Sequence, residues 1–275
     1  MEEKLLKLAR EMARVADTTA NDITSAIDAS AQKKIKQLVV DLTKLTGKGG
    51  KFSANIKTLR SAVAVVRDIE DLRNDPQLQK AMKSYNLSFA ELATLNNSYI
   101  NSAFEIATKS ALAEDVTASA LALVEATLSK EVLSHTLGSA IVQTVKQTIL
   151  SNGTIGELED NLTQLMFGND GNGGLIDANV SRIARDSVFQ YNRDYLNAIS
   201  AGLEIEYYLY AGSEIKSSRQ FCKDRNDEVW KTEEVISWNK LDWQGKKEGN
   251  IFSNVGGYNC RHRLLPYPAE LVEKK

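Results

Sequence analysis

Apolar residues recur every three or four positions through the first 150 residues of this 275-residue chain, and this spacing restricts the fold more than any other feature. Such spacing places apolar side chains along one face of an α-helix. Because this region has a single proline, Pro76, and no tryptophan, the sequence predicts that residues 1–150 are entirely helical. Three stripes carry the pattern: Leu5, Leu8, Met12, Val15 and Thr19; Ile35, Leu38, Leu42 and Leu45; and Ile56, Leu59, Val63, Val66 and Ile69.

Helix boundaries are indicated at two points within this region. Asp75 is suited to an N-cap, and Pro76 to the first helical position, where the missing N–H has no intrahelical bond to lose. The stretch from Ser88 to Glu91 has the residue pattern of a capping box, which predicts that another helix begins there. Two further helices are predicted over Glu114 to Ser129 and Lys130 to Leu150.

The periodicity changes after residue 150. Glycine-containing breaks at 151–153 and 168–174 interrupt the helical pattern, and all three tryptophans follow them. The predicted fold class is therefore mainly α, with the helical region 1–150 followed by a small α+β domain at 151–275. The elements predicted in this domain are a short helix over Thr154 to Phe167, a long helix ending at Gly202, strands at Glu204 to Tyr210, Glu228 to Trp230 and Arg263 to Leu265, and a helix over Thr232 to Asn239.

Composition limits the class of protein. Hydrophobic residues make up 43% of the chain and charged residues 25%, which is typical of a folded globular protein. No apolar run approaches the roughly 18 residues that a membrane span requires, and the acidic start, Met1 to Lys4, is unlike a signal peptide. We therefore expect no membrane partner, and synthesis and folding in a cytoplasm.

Both cysteines and one of the two histidines fall in one stretch, as Cys222, Cys260 and His262. Two cysteines are too few for a disulfide framework, and three interpretations remain open. The three side chains could ligate zinc, with Asp224 or a partner chain as the fourth ligand. Cys222 and Cys260 could instead form one disulfide. Alternatively, the thiols could be small buried apolar groups, with His262 hydrogen-bonded to the backbone.

Positive charge is concentrated between residues 31 and 60, where eight Lys or Arg residues accompany one acid, Asp41. The segment has a net charge of +7 in a chain whose total is −2. It could contact DNA phosphates without reading the base sequence, or be the solvated face of two helices joined by a glycine turn. The turn is not a nucleotide-binding loop, because Phe52 replaces the required hydroxyl. The candidate DNA contacts are Lys33, Lys34, Lys36, Lys44, Lys48 and Lys51.

The sequence does not indicate catalysis. His135 falls in an apolar-spaced helical segment, where a packed or half-exposed histidine is expected. Glu233, Glu234 and Asp242 are more simply a solvated surface than a metal-binding cluster. The hydrolase motif Gly-x-Ser-x-Gly and the Walker phosphate loop are both absent. We therefore expect that the protein is not an enzyme and that it has no resident organic cofactor.

An ordered set of motifs in the C-terminal half carries a family resemblance. Ile183-Ala184-Arg185, Gly202, Arg219 with Cys222, and the segment from Gly256 to His262 follow one another with matching gaps. Over residues 154–268 the chain resembles the C-terminal domain of tailed-phage head-morphogenesis proteins, the minor capsid group that includes Mu F-like proteins. Many of those proteins carry Cys-x-x-Cys and a later Cys-x-Cys, whereas this chain has residues 223–225 and His262 in the corresponding places. Residues 1–150 share no such motif.

The resemblance implies a non-enzymatic minor capsid protein made in the host cytoplasm and resident inside the virion. Its implied partners are the portal, the scaffold or the major capsid protein, with effects on DNA packaging or ejection. The basic segment adds packaged DNA, bound without sequence preference, as a further candidate partner. A homo-oligomer, a structural portal or neck ring component, and an effector such as a toxin or nuclease carried by the same module remain alternatives. The residues assigned to the domain framework are Arg219, Trp230, Trp238, Gly256, Gly257, Tyr258 and Arg261.

Overall fold

The structure is a computed structural model that describes residues 1–67, 75–105, 111–169 and 172–272. It is mainly helical, with a small three-stranded antiparallel sheet near the C-terminus, which confirms the predicted fold class. Of the predicted apolar positions, Ile69 lies outside the described residues. No helix in the described ranges combines the length and apolarity needed to cross a bilayer.

The described residues among the first 150 are mostly in long helices. The first helix, α1 (Glu2–Thr43), buries an apolar face that includes Leu5, Met12, Ile35 and Leu38, as the stripes predict. The region ends in a continuous helical run that contains a π-helical stretch. The helices are α1 Glu2–Thr43, α2 Ile56–Arg67, α3 Pro76–Phe104, α4 Ala111–Val124, a π-helix Glu125–Thr136 and α5 Leu137–Leu150, with a 3₁₀ turn at Lys48–Gly50.

Two helix boundaries are where the sequence predicts them. Asp75 caps α3, because its Oδ1 accepts hydrogen bonds from the backbone N–H groups of Gln77 and Leu78 at 2.9 and 3.2 Å. Pro76 is the first residue of that helix. Thr154 caps the short helix α6, Ile155–Phe167, and completes a capping box with Glu157.

Two other predicted boundaries are wrong. Ser88 does not begin a helix, since it lies in the middle of α3 and its hydroxyl donates to the carbonyl of Tyr85 at 2.6 Å. Inside a helix, a serine hydroxyl can donate a hydrogen bond to the carbonyl of a preceding residue. The capping-box pattern alone therefore does not show where a helix begins. The predicted helices ending at Ser129 and beginning at Lys130 are not separate, because the π-helical stretch carries the backbone through this point.

The C-terminal elements build a small sheet covered on one face by short helices. Its strand order is β4 (Val229–Lys231), β3 (Tyr207–Gly212), β5 (His262–Tyr267), and both adjacent pairs are antiparallel. Residues 207–267, from β3 to the end of β5, are called the C-terminal module below. The elements after α6 are two antiparallel two-residue strands, β1 Gly168–Asn169 and β2 Asn172–Gly173; a π-helix Ile176–Ser181; α7 Arg182–Ser200; β3 Tyr207–Gly212; α8 Gln220–Lys223; β4 Val229–Lys231; α9 Thr232–Ser237; a 3₁₀ turn Trp238–Lys240; α10 Ile251–Asn254; β5 His262–Tyr267; and α11 Ala269–Val272.

The two faces of the sheet have different environments because successive side chains alternate. Tyr210 and its cross-strand neighbour Leu264 enter an apolar cluster with the two cysteines and Trp238. Ala211 and Arg263, paired in the next position, face the N-terminal part of α1, where Arg263 donates a hydrogen bond to the carbonyl of Ala9. One face therefore carries the cysteine cluster, and the other packs on a helix.

The described chain divides into two compact units that interleave in sequence. The first contains residues 1–20, 85–122 and 185–275, and the second contains residues 21–84 and 123–184. The C-terminal module thus packs in one unit with the start of α1 and most of α3. The domain boundary predicted at residue 150 stays a prediction. The boundaries between the two compact units lie at other positions.

Candidate metal centre and its framework

Cys222, Cys260 and His262 converge in the core of the C-terminal module, as their residue types suggest. Cys222 lies on α8, and Cys260 lies two residues before His262, the first residue of β5. The two Sγ atoms are 3.8 Å apart, and Cys260 Sγ is 3.6 Å from His262 Nδ1. One ligating atom from each of the three residues lies within 4.8 Å of the others, and all three side chains are buried. This is a compact set of two sulfur donors and one nitrogen donor.

The cysteines are free thiols, and their separation exceeds the roughly 2.05 Å of a disulfide bond. Asp224, the predicted fourth ligand, does not join the cluster among the described residues. It is exposed just beyond α8, where its Oδ1 accepts a hydrogen bond from Gln220 at 2.6 Å. The Asp224 carboxylate is thus solvent-exposed and bonded to a residue of α8, away from the buried cysteines.

A glycine turn closes over the two thiols. Gly256 has φ +69°, and a Cβ built there would lie 2.2 Å from Cys260 Sγ and 2.9 Å from Cys222 Sγ. Gly257 has φ +82°, and a Cβ there would lie 1.9 Å from the carbonyl oxygen of Gly245. Only glycine fits both the conformation and the space. These two framework residues therefore set how closely the turn approaches the sulfur atoms.

The environment polarises the thiol pair. The hydrogen bond between the thiols raises the pKa of Cys222, and burial raises it further. The same hydrogen bond lowers the pKa of Cys260, with further help from His262 and the nearby guanidinium of Arg193. The two thiols are therefore inequivalent, because their shared contact raises one pKa and lowers the other. The backbone N–H of His262 also points at Cys260 Sγ, at 3.3 Å.

Arg193 fixes the backbone of this centre, and the sequence analysis missed it. It lies on α7 and is 3% exposed. Its guanidinium donates to three carbonyl oxygens, those of Ser253 at 2.6 Å, Cys260 at 3.0 Å and His262 at 3.2 Å. No local signal marks it, because an arginine in an amphipathic helix is ordinarily solvated and its acceptors lie 60 or more residues away.

Two polar atoms beside the sulfurs lack hydrogen-bond partners within the described ranges: the hydroxyl of Tyr210 and Nε2 of His262. Both are buried, and the two rings lie against each other with centroids 5.1 Å apart. Burial raises the pKa of Tyr210, and the two neighbouring cysteines raise it further, so the phenol keeps its proton. Orphaned polar groups of this kind are costly in a protein core.

The remaining framework residues hold the loops around this core. Arg219 donates from Nε to the carbonyl of Gln244 at 2.6 Å and from Nη2 to that of Tyr258 at 2.8 Å. The tyrosine thus contributes its backbone, while its side chain is 53% exposed. Arg261 pairs with Asp17 at 2.9 Å within the same compact unit.

Aromatic rings fill the space behind the cysteines. Trp238 is buried and meets Phe221 and the half-buried Trp230 edge to face, with ring centroids 5.6 and 5.4 Å away. Trp243, which the sequence analysis did not single out, stacks on Phe221 at 4.0 Å. The guanidinium of Arg225 lies 4.0 Å from the Phe221 centroid. Such contacts favour a rigid core.

The predicted DNA contacts are spread over the end of α1 and the following loop. Five of the six lysines are exposed, and Lys34 is half-buried. Lys33 pairs with the buried carboxylate of Asp75 at 3.3 Å, and Lys44 pairs with Asp41 at 2.7 Å. Two of the six positive charges are thus partly neutralised by neighbouring acids. Lys48 and Lys51 lie in the glycine loop between α1 and α2. This position agrees both with a DNA contact and with a solvated face of two helices joined by a turn.

The residues considered for catalysis are exposed. His135 is exposed on the π-helical stretch, Glu233 and Asp242 are exposed, and Glu234 uses its carboxylate to cap α9 by accepting from the backbone of Lys231 at 2.9 Å. The arrangement of these acids agrees with a solvated surface.

A cavity of about 550 Å³ lies between the start of α1 and the sheet face opposite the cysteines. Its lining carries both signs of charge, including Arg10, Asp17, Asp227 and Arg263. The buried Arg263 guanidinium has Nε and Nη1 without a hydrogen-bond partner among the described residues. The sequence could not indicate this cavity, because its walls come from opposite ends of the chain. Its mixed lining matches no single class of ligand.

The comparisons with known proteins give no match: no family model fits the chain, and no curated protein or solved structure is similar to it. Functional interpretation therefore rests on the residues and their geometry.

Proposed function

We propose that this chain is a minor capsid, or head-morphogenesis, protein of a tailed bacteriophage. On this proposal it associates with the portal, the scaffold or the major capsid protein during head assembly and resides inside the virion. It influences DNA packaging or ejection there, and it has no catalytic role. The support is that the residues that carry the resemblance to that family, separated by up to 43 positions from Arg219 to His262, meet in one framework.

The contacts of these residues suit a docking module. Arg219 ties two loops together through their carbonyls, Gly256 closes a turn over the thiols, and Trp238 occupies the centre of the aromatic core. Each of these contacts fixes the shape of the module. A rigid surface carried on a small sheet suits binding to an assembling shell, since little conformational entropy is lost when it docks.

Exposed apolar side chains on the module offer candidate contacts for such a partner. Ile236 is 50% exposed, Leu241 42% and Tyr258 53%. Exposed aromatic and branched aliphatic residues are typical anchors when they become buried in an interface. The tyrosine combines an exposed ring with a backbone carbonyl held by Arg219, so its position on the surface is well defined.

Quantitative mass spectrometry of purified, nuclease-treated virions tests the proposal. The chain should be present at a few to tens of copies per particle. Comparison of full particles with particles that have released their DNA then locates it. Departure with the DNA supports an internal head protein that takes part in ejection. Retention in emptied heads points to a fixed portal or neck ring component, and absence from virions overturns the resident role and favours an assembly-only factor or the effector alternative.

A further inference from the structure

We propose that Cys222, Cys260 and His262 bind one zinc ion in the core of the C-terminal module, with a water molecule as the fourth ligand. The proposal is independent of the proposed function, because it concerns only these three side chains and their surroundings. It selects one of the interpretations that the sequence left open. Zinc is the ion that two thiolates and an imidazole in a tetrahedral arrangement favour.

The distances between the donors match a tetrahedral site. Zinc lies about 2.3 Å from sulfur and about 2.0–2.1 Å from nitrogen, so tetrahedral angles place two sulfurs about 3.8 Å apart and a sulfur and a nitrogen about 3.6 Å apart. The observed separations are 3.8 Å between the two Sγ atoms and 3.6 Å between Cys260 Sγ and His262 Nδ1. The third edge, between Cys222 Sγ and a ring nitrogen of His262, is at most 4.8 Å, so the three donors lie close enough together to share one ion.

Charge balance favours a divalent ion at this position. All three donors are buried, and an isolated thiolate in such a site is strongly disfavoured. Two thiolates and a neutral imidazole around Zn²⁺ give a site with no net charge. The ion therefore removes the cost of ionising both cysteines.

The surroundings provide the outer support that zinc sites require. Arg193 holds the carbonyls of Cys260 and His262, which fixes the backbone on both sides of the two ligands from this loop. The Tyr210 hydroxyl is buried close to both sulfurs, and it makes no hydrogen bond of good geometry within the described part of the chain. A zinc-bound water in the fourth position would give this hydroxyl an interaction that it otherwise lacks. Tyr210 is then a positioning residue for the water.

Metal analysis of the full chain, purified reduced and without chelator, tests the site. We expect one zinc per chain by elemental mass spectrometry. After replacement of zinc by Co²⁺, we expect the intense visible bands of tetrahedral cobalt and a thiolate-to-cobalt charge-transfer band in the near ultraviolet. A wild-type chain that binds no zinc, or a cobalt complex without the thiolate band, overturns the proposal. These readouts need no variant and no virion.

Variants then assign the ligands. Cys222→Ser, Cys260→Ser and His262→Asn should each lower zinc affinity by more than about a hundredfold, beyond the 10–100-fold typical of outer-shell changes. Tyr210→Phe should lower it by about tenfold. His135→Asn, which removes the exposed histidine, should leave zinc content unchanged. Undiminished zinc in His262→Asn contradicts the ligand set, and an intact mass two hydrogens lighter in the metal-free chain identifies the disulfide instead.

Discussion

Gly256 and Gly257 allow separate segments of the C-terminal module to meet because neither carries a Cβ. Their positive φ angles suit glycine, and the missing methyl group also leaves space for the two thiols and for the carbonyl of Gly245. The sequence identifies these glycines as framework residues through their place beside Cys260. The structure adds the reason, which is contact with sulfur. Conformation and crowding act together at this turn, and substitution can separate them.

Gly256→Ala should destabilise the protein more than Gly202→Ala. Both glycines have positive φ, +69° and +88°, so both variants incur about 1–2 kcal/mol of left-handed strain. A Cβ at Gly202 meets nothing within 4 Å, whereas one at Gly256 overlaps both sulfurs and adds about 1–3 kcal/mol of overpacking. Denaturant unfolding measures the difference in the free energy of unfolding. Equal losses in the two variants would show that the turn does not pack on the thiols.

Arg193→Met should cost about 2–4 kcal/mol of folding free energy. The substitution keeps an apolar side chain of similar length but leaves the carbonyls of Ser253, Cys260 and His262 without their shared donor. Arg182→Met, at the exposed start of the same helix, is the matched control and should change stability by less than about 0.5 kcal/mol. Thermal unfolding of both variants checks the prediction. Zinc affinity should fall in parallel only in Arg193→Met.

At the level of the element, the start of α3 shows how one side chain can cap a helix and also bind residues of another helix. The Asp75 carboxylate caps the first turn, accepts a hydrogen bond from the Ser30 hydroxyl at 3.2 Å and pairs with Lys33 at 3.3 Å. All of these contacts lie within the second compact unit. Burial raises the pKa of the Asp75 carboxyl, but the hydrogen bonds from Leu78, Lys33, Gln77 and Ser30 outweigh it, and the pKa is lowered.

Asp75→Ala should therefore destabilise the protein by about 2–4 kcal/mol, because it removes a helix cap and leaves the buried Ser30 hydroxyl without an acceptor. Asp75→Asn keeps an acceptor for the cap and should cost less. A lowered pKa in the folded state means that the carboxylate stabilises above the unfolded value of about 3.9 and that this contribution is lost as pH falls through the folded value. Chemical unfolding at pH 7 and pH 3 should show a smaller drop in stability for Asp75→Asn than for the wild type. An equal drop contradicts the carboxylate's role.

Element boundaries could be predicted where the signal is steric or local. Pro76 can occupy a first turn without losing a hydrogen bond, so its position and that of Asp75 were predicted correctly. Ser88 was misassigned because its hydroxyl can bond to a helix carbonyl as readily as it caps. The join near residue 130 was misplaced because a π-helical stretch has more residues per turn than an α-helix, so the apolar stripe shifts there as it would at a break between two helices.

At the scale of the whole molecule, the features that could not be predicted from the sequence are those that depend on contacts between distant segments. The cysteines and His262 were recognised because these residue types are rare in the chain, whereas Arg193 and Arg263 are ordinary in type and unusual only in where they are buried. The first 20 residues pack in the same compact unit as residues 185–275, although no local pattern links the two. Residue chemistry was thus readable, and the pairing of distant segments was not.

The distribution of charge over the whole chain leads to the last prediction. Residues 31–60 carry +7 in a chain with a net charge of −2, so this segment is the most strongly attractive part of the sequence for DNA. We expect the protein to bind a short random-sequence duplex weakly, with an affinity that falls steeply as salt rises, because counterions are released at each phosphate contacted. Fluorescence anisotropy across a salt series measures both the affinity and the slope.

Reversing two charges in the loop tests which surface is responsible. Lys48→Glu with Lys51→Glu changes the segment from +7 to +3 and should reduce affinity by at least about tenfold while making the salt dependence about two contacts shallower. Lys4→Glu with Lys7→Glu changes the total charge by the same amount at two exposed lysines with the same spacing outside the segment. If both double variants lose affinity equally, binding follows total charge rather than the loop. If neither loses any, or if wild-type binding is insensitive to salt, the segment is a solvated face and DNA is not its partner.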